Sequence, residues 1–102
     1  MTHDAGVEDR ECIVDGVRWA LVEYSPGHGR AAWCSTPHCG YVVSGAVRYE
    51  FEDDGEPLII AAGNGFALPS APAHRGRNDG SEPASLFLID ALPASGSASP
   101  RP

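Results

Sequence analysis

The apolar residues of this 102-residue chain fall into short runs that are separated by turn-forming residues. In 46–52, Val47, Tyr49 and Phe51 alternate with charged residues, which is typical of a β-strand with one buried face. The run 17–24 is largely apolar on both faces, so we expect both faces to be covered. The same pattern predicts further strands at 11–15, 30–35, 40–44, 57–61, 66–68, 84–90 and around His74.

Turn signals separate these predicted strands. Glycine (12 residues) and proline (9 residues) are both abundant, and pairs such as Asp15-Gly16 and Asp54-Gly55 favour tight reversals. The apolar spacing contains no convincing helical period. About eight short strands joined by turns predict an all-β sandwich or barrel, and the periodicity fits both immunoglobulin-like and jelly-roll topologies.

The length of the chain predicts a single domain, which we assign to residues 11–90. Residues 1–10 are mostly polar and acidic, and residues 91–102 are mostly proline, serine, alanine and glycine. Neither segment carries enough apolar surface to offset the entropy of ordering it, so both are predicted to be disordered tails.

Charge and composition exclude several classes of partner. The net charge is −7 with only seven lysines and arginines, which argues against binding to nucleic acid or to anionic membranes. No apolar stretch approaches the roughly 20 residues of a membrane span, and the acidic first residues do not resemble a signal peptide. We therefore expect a cytoplasmic protein, whose three cysteines are not expected to form a disulfide framework.

The segment GNGFALPSAPAHRGRN (63–78) combines turn residues, a short apolar strand and a histidine. Its spacing resembles the second conserved motif of the cupin superfamily, with alanine where that family prefers the motif's second glycine. The matching positions are Gly63, Pro69, Ala71, His74 and Asn78. The resemblance, which covers 30–90, implies a small single-domain cupin: a double-stranded β-helix, or jelly-roll barrel, with a site in its interior and a homodimeric assembly.

The first motif of that family carries two histidines and a glutamate, and this chain matches only its end, a run that closes at Gly45. Aligned from that glycine, His38 stands where the family has glutamate, and the histidine positions fall on Ala32 and Cys34. The family's usual set of three histidines and one carboxylate is therefore absent. The resemblance leaves Cys34, His38 and His74 as the candidate metal ligands.

A thiolate with two imidazoles suits Zn²⁺, and also copper or Fe²⁺, while the resemblance adds manganese and nickel as candidate divalent metals. The alternative is a degenerate site without metal. In that case His74 is a buried hydrogen-bonded histidine, Cys34 a small core residue and His38 a hydrogen-bonding group at the barrel rim. Cys39 is expected to face away from His38, because adjacent strand residues point to opposite faces.

Further residues are expected near a bound molecule. Trp33 and Tyr49 are predicted to line the pocket, and Asn78 is predicted to hold a ring or a water behind His74. No carboxylate is predicted to act as a base in the pocket. The strand glutamates are assigned to outward-facing positions, namely Glu23, Glu50 and Glu52.

Two classes of function fit these residues. One is metal-dependent chemistry on a small organic molecule, in which an open metal position polarises a carbonyl or binds O₂. The other is a metal-free cupin that binds a small molecule in an apolar pocket, or that serves as a structural dimer. In both cases we expect a homodimer, because one apolar face of 17–24 needs a partner in so small a domain.

Overall fold

The computed structural model describes residues 4–91, and this part of the chain forms eight β-strands. Within that range no helix forms, and none that could cross a membrane is found. The strands are β1 (Val7–Val14), β2 (Val17–Tyr24), β3 (His38–Ser44), β4 (Ala46–Phe51), β5 (Leu58–Ala61), β6 (Gly65–Leu68), β7 (His74–Arg77) and β8 (Ala84–Ala91).

The strands form two antiparallel sheets whose inner faces share one core. The larger sheet has the order β1-β2-β8-β3-β6, and the smaller has the order β5-β4-β7. Strand β8 therefore lies in the middle of the larger sheet, between β2 and β3, although it comes last in the chain. This all-β, two-sheet arrangement confirms the predicted jelly-roll barrel.

Alternation along the strands builds the core, because every second side chain points inward. The inward apolar residues of both sheets pack together: Ala20, Val22, Tyr24, Val42, Val47, Tyr49, Ile60, Leu68, Ala84, Leu86 and Leu88. At one end of this core two polar residues are equally buried, His74 at 1% exposed and Asp90 at 4%. Buried polar groups need partners, so this end of the barrel is where a site is expected.

Strand β1 corrects the predicted N-terminal tail, because Val7 to Arg10 belong to it rather than to a disordered segment. The whole strand pairs with β2, and the Asp15-Gly16 turn joins them with positive φ angles of 53° and 75°. Most side chains of β1 are exposed, so main-chain hydrogen bonds rather than apolar burial hold it. Strand β8 extends to Ala91, the first residue of the predicted C-terminal tail at 91–102, and the rest of that tail lies outside the described residues.

The predicted strand at 30–35 is also wrong. This segment is a loop that forms two isolated β-bridges with β7, Gly29 with Arg77 and Cys34 with His74, and no continuous ladder. Between the two bridges the loop advances by five residues and β7 by only three, so the residues cannot pair one to one and a continuous ladder does not form. The surplus residues bow out beside the open end of the barrel, and they carry Trp33 with them.

Candidate metal centre

Cys34, His38 and His74 converge at the polar end of the core, where one donor atom from each lies within 4.8 Å of the others. The three residues come from three different elements. Cys34 lies in the loop between β2 and β3, His38 opens β3 in the larger sheet, and His74 opens β7 in the smaller sheet. The cluster therefore depends on how the two sheets pack.

Main-chain pairing places Cys34 beside His74. The two residues exchange backbone hydrogen bonds, with the Cys34 amide donating to His74 at 2.8 Å and the His74 amide donating to Cys34 at 2.9 Å. Residues that pair directly in an antiparallel bridge have their side chains on the same face. The Thr36 amide also donates to Cys34 Sγ at 3.4 Å, which favours one orientation of the thiol.

His38 is held between two partners, one on each side of its ring. Its Nδ1 lies 2.8 Å from Oδ1 of Asp90, and its Nε2 lies 2.9 Å from Nε2 of His74. Asp90 Oδ2 in turn accepts a hydrogen bond of 3.0 Å from Arg18 Nη1, and the Arg18 guanidinium also pairs with Glu11. A continuous polar chain thus runs from the exposed side of β1 to the buried His74.

His74 has one nitrogen without a partner. Its Nδ1 is the one buried side-chain nitrogen or oxygen among residues 4–90 for which no hydrogen bond forms. A buried polar atom left unpaired costs about 1–3 kcal/mol, and such atoms in native proteins commonly accompany functional sites. Among the described residues, this nitrogen of His74 is left free to bind a further partner.

Burial keeps both imidazoles in their neutral form. The pKa of His74 is lowered from 6.5 to about 4, first by burial and then by the neighbouring His38, while Asp90 acts in the opposite direction. The pKa of His38 is also lowered, first by burial, while the Asp90 carboxylate acts in the opposite direction. Neutral imidazole is the form of histidine that binds metals.

A cavity of about 650 Å³ opens beside the three candidate ligands. Trp33 and Tyr49 line it, as predicted, and Arg75 stacks on the Trp33 ring at 4.1 Å from its centre. Gly76 also lines the cavity, and the absence of a side chain there leaves space for Tyr24, because a Cβ at this position would lie 2.8 Å from the Tyr24 hydroxyl oxygen. The cavity is large enough to hold a small organic molecule.

The predicted role of Asn78 is wrong. This residue is buried but does not line the cavity, and its side-chain amide is fully engaged by the backbone. It donates to the carbonyls of Tyr24 and Glu82 at 3.2 and 2.7 Å, and it accepts from the Gly80 amide at 2.8 Å. Asn78 therefore fastens the β7–β8 turn to the end of β2, and it does not support His74.

The prediction that the pocket lacks a carboxylate is also wrong, because Asp90 lines it and contacts His38. The sequence carried a signal for this. In β8 the inward positions are Ala84, Leu86, Leu88 and then Asp90, so a charge continues an apolar row with a spacing of two. Cys39, in contrast, is exposed as expected from its parity with His38.

The fold and these residues define a class of protein, a jelly-roll barrel with a candidate metal centre in its open end. A family model described as "Cupin domain" matches residues 20–90, which is more than half of the chain. The chain therefore belongs to the cupin family. No curated protein matches the chain in sequence.

Solved structures share this fold. A protein from Neisseria meningitidis has 23% identity over 82% of each chain, with a TM-score of 0.67. Oxalate decarboxylase of Bacillus subtilis has 25% identity over 89% of this chain and 27% of that chain, with a TM-score of 0.75. The cupin domain of an XRE-family transcriptional regulator from Enterobacter cloacae has 14% identity over 87% of this chain and 99% of that chain, with a TM-score of 0.71.

The three candidate ligands fit a metal ion. Donors at about 2.0–2.3 Å from a tetrahedral zinc lie roughly 3.3–3.8 Å apart. The observed limit of 4.8 Å and the 2.9 Å between the two Nε2 atoms bracket that range, so small side-chain rotations suffice. A thiol and two neutral imidazoles, one of which has an unpaired buried nitrogen, form a donor set suited to zinc.

Proposed function

We propose that this cupin binds a divalent metal through Cys34, His38 and His74 and acts on a small organic molecule held in the adjoining cavity. The observation that carries this proposal is the convergence of the three donors within 4.8 Å at the wall of that cavity. Three protein ligands leave a fourth position open, which is the arrangement of catalytic rather than structural zinc sites.

Zinc is the metal that this donor set favours. Thiolate and imidazole ligands suit Zn²⁺ and also copper or Fe²⁺, whereas manganese prefers carboxylate and water oxygens. Nickel accepts imidazole but favours a square-planar or octahedral arrangement. We therefore rank zinc first and iron or copper next.

The bound metal would act as a Lewis acid that polarises a carbonyl or related oxygen of the substrate. The other roles fall to residues of this chain. Burial raises the pKa of Tyr49, so its phenol keeps its proton and faces the cavity as a neutral group. Trp33 offers an aromatic wall at the mouth, backed by the Arg75 guanidinium. The decarboxylase with the same fold acts on oxalate, which supports a small organic substrate here.

A metal-free binding module is the second candidate, and one contact favours it. His38 and His74 already meet at 2.9 Å between their Nε2 atoms, so one imidazole satisfies the other without a metal. Metal content separates the two candidates.

Protein purified without added metal should contain close to one equivalent of zinc, measured by inductively coupled plasma mass spectrometry. Cys34→Ala should lower that content at least tenfold, because two imidazoles alone bind zinc weakly. Cys39→Ser is the matched control, since Cys39 is exposed and faces away from the site, and it should keep the metal. A metal-free wild-type protein that also fails to bind added Zn²⁺ would favour the binding module.

We also propose that the protein is a homodimer that uses the outer face of the larger sheet. Leu21, Phe87 and Tyr41 lie side by side across β2, β8 and β3, and Trp19 packs against Phe87 with ring centres 5.8 Å apart. Leu21 is 39% exposed and Tyr41 is 50% exposed. A contiguous exposed apolar patch of this kind commonly marks an interface.

Light scattering should therefore report a dimer at a protein concentration on the order of tens of micromolar, where an interface of moderate affinity is populated. Leu21→Arg should yield a monomer, because an unpaired charge at the centre of the patch cannot be desolvated without a large cost. Ile59→Arg should remain dimeric, since Ile59 is 69% exposed but lies on the smaller sheet. A monomeric wild type would refute the interface.

We also propose that the protein is cytoplasmic. Cys12, Cys34 and Cys39 are all free. Free thiols suit a reducing compartment, where they persist without oxidation.

A further inference from the structure

We infer that Asp90 is a positioning residue that fixes the tautomer of His38 and thereby keeps its Nε2 unprotonated, the form in which that nitrogen can bind a metal. This inference rests on the proposed metal function for its consequence, but the tautomer itself belongs to the metal-free protein. It assigns a role to a carboxylate that the conserved cupin motifs of this chain do not contain.

The tautomer follows from the charge on Asp90. Its carboxylate is buried and forms an ion pair with the Arg18 guanidinium at 3.0 Å. An ionised carboxylate only accepts hydrogen bonds. The 2.8 Å contact from Asp90 Oδ1 to His38 Nδ1 therefore requires the proton to sit on Nδ1. A neutral imidazole with a proton on Nδ1 has an unprotonated Nε2.

The next ring in the chain agrees with this assignment. His38 Nε2 can only accept a hydrogen bond, so the 2.9 Å contact requires His74 Nε2 to donate. His74 Nδ1 is then also unprotonated. That nitrogen is the buried atom that finds no hydrogen-bond donor among the described side chains and backbone. One carboxylate thus sets the proton positions of two successive rings.

Strand register and packing explain why Asp90 lies next to His38 and Arg18. Arg18 and Asp90 are direct cross-strand partners on β2 and β8. Cys39 pairs with Ile89 on the neighbouring strand, so His38 and Asp90 are the next residues along that ladder. An apolar residue at position 90 would continue the core row of β8, so packing alone does not account for a carboxylate there.

The outer members of the chain should matter less. Side-chain exposure rises from 6% at Asp90 to 24% at Arg18 and 49% at Glu11. Solvent screening grows with exposure, so the influence on His38 should fall in the same order. A buried carboxylate that orients a ligating histidine typically changes metal affinity 10–100-fold when it is removed.

The test combines a spectroscopic measurement with a titration. Long-range ¹H–¹⁵N correlation spectra of the metal-free wild type should assign the Nδ1–H tautomer to His38. Asp90→Asn keeps the shape but offers an amide donor, so it should shift His38 toward the Nε2–H tautomer. Competition titration with Zn²⁺ and a chromophoric chelator should then give an affinity 10–100-fold below that of the wild type.

Asp79→Asn is the matched control. Asp79 also bridges arginines, Arg48 at 3.1 Å and Arg77, but it is exposed and lies outside the cavity. This variant should leave both the His38 tautomer and the zinc affinity unchanged. Glu11→Gln, which removes the outermost charge, should weaken zinc binding by less than threefold, an estimate from the small energies of exposed ion pairs.

The outcomes separate the inference from the proposed function. A wild type in which His38 carries its proton on Nε2 overturns the inference, and this measurement needs no variant to fold. Equal zinc affinity and equal tautomer in wild type and Asp90→Asn overturn it as well. If the wild type binds no metal but Asp90→Asn still switches the tautomer, the metal function fails and the positioning role of Asp90 stands.

Discussion

Saturating Zn²⁺ should raise the melting temperature of the metal-free protein by on the order of 15 °C. A ligand at 1,000 times its dissociation constant stabilises the native state by about 4 kcal/mol. For a domain of 60–100 residues, each 1 kcal/mol of stabilisation raises the melting temperature by roughly 4–8 °C. Even at about 4 °C per kcal/mol, the expected rise is on the order of 15 °C. The effect should be large here because the ligands come from both sheets and from the loop between β2 and β3, which the metal would tie together.

Differential scanning fluorimetry or calorimetry measures this rise directly, with EDTA-treated protein as the reference. Cys34→Ala should lose most of it, and Cys39→Ser should retain it, since the two thiols differ mainly in whether they face the site. Zinc that binds the unfolded chain through its cysteines would reduce the rise similarly in the two variants, because each keeps two of the three cysteines. A rise that is the same in Cys34→Ala and in wild type would therefore contradict the assigned ligand.

The fold was largely predictable because local patterns and tertiary packing agree in this chain. Alternation at 46–52 became β4, and the two-sided run 17–24 became β2, with Ala20, Val22 and Tyr24 facing the core. The first half of β1, residues 7–10, was not predicted, because a strand at the edge of a sheet is held by its main-chain ladder and can carry polar side chains at most positions.

The candidate ligands were predictable for a different reason. His74 sits at a fixed spacing within a motif, and strand-opening positions place both histidines at the same end of the barrel. Cys34 was identified by alignment, but the strand assumed for it does not exist. A single bridge to His74, rather than a strand, brings its thiol to the site. Cys34 therefore lies beside the two histidines, although the strand predicted for it does not form.

Asp90 was missed because its neighbours are distant in the sequence. It lies 52 residues from His38 and 72 from Arg18, so only the order of strands in the sheet brings the three together. At the end of a predicted strand, an aspartate is most simply taken as a turn residue. Asn78 is the opposite case. Its position in the motif was recognised from the sequence, but its side chain forms hydrogen bonds with the backbone of the β7–β8 turn.

Acidification should destabilise the metal-free protein through His74. Its pKa in the folded protein is about 4, lowered from 6.5 mainly by burial and then by the neighbouring His38. Above about pH 6.5 neither the folded nor the unfolded form binds this proton, and the full stability is present. As the pH falls from about 6.5 to 4, the unfolded chain takes up the proton and the folded chain does not, so stability is lost across that interval.

The loss attributable to His74 should be about 3 kcal/mol, because each pH unit of the interval between 6.5 and about 4 is worth about 1.4 kcal/mol. Urea denaturation in EDTA at pH 8, 7, 6, 5 and 4.5 measures it. His74→Asn removes the titrating group while keeping a polar side chain, so its absolute stability should fall but its slope with pH should flatten. The comparison uses only the slopes, which separates His74 from the carboxylates that also protonate at acid pH. Parallel pH profiles for His74→Asn and wild type would mean that His74 is protonated equally easily in the folded and unfolded chains, which its burial beside His38 argues against.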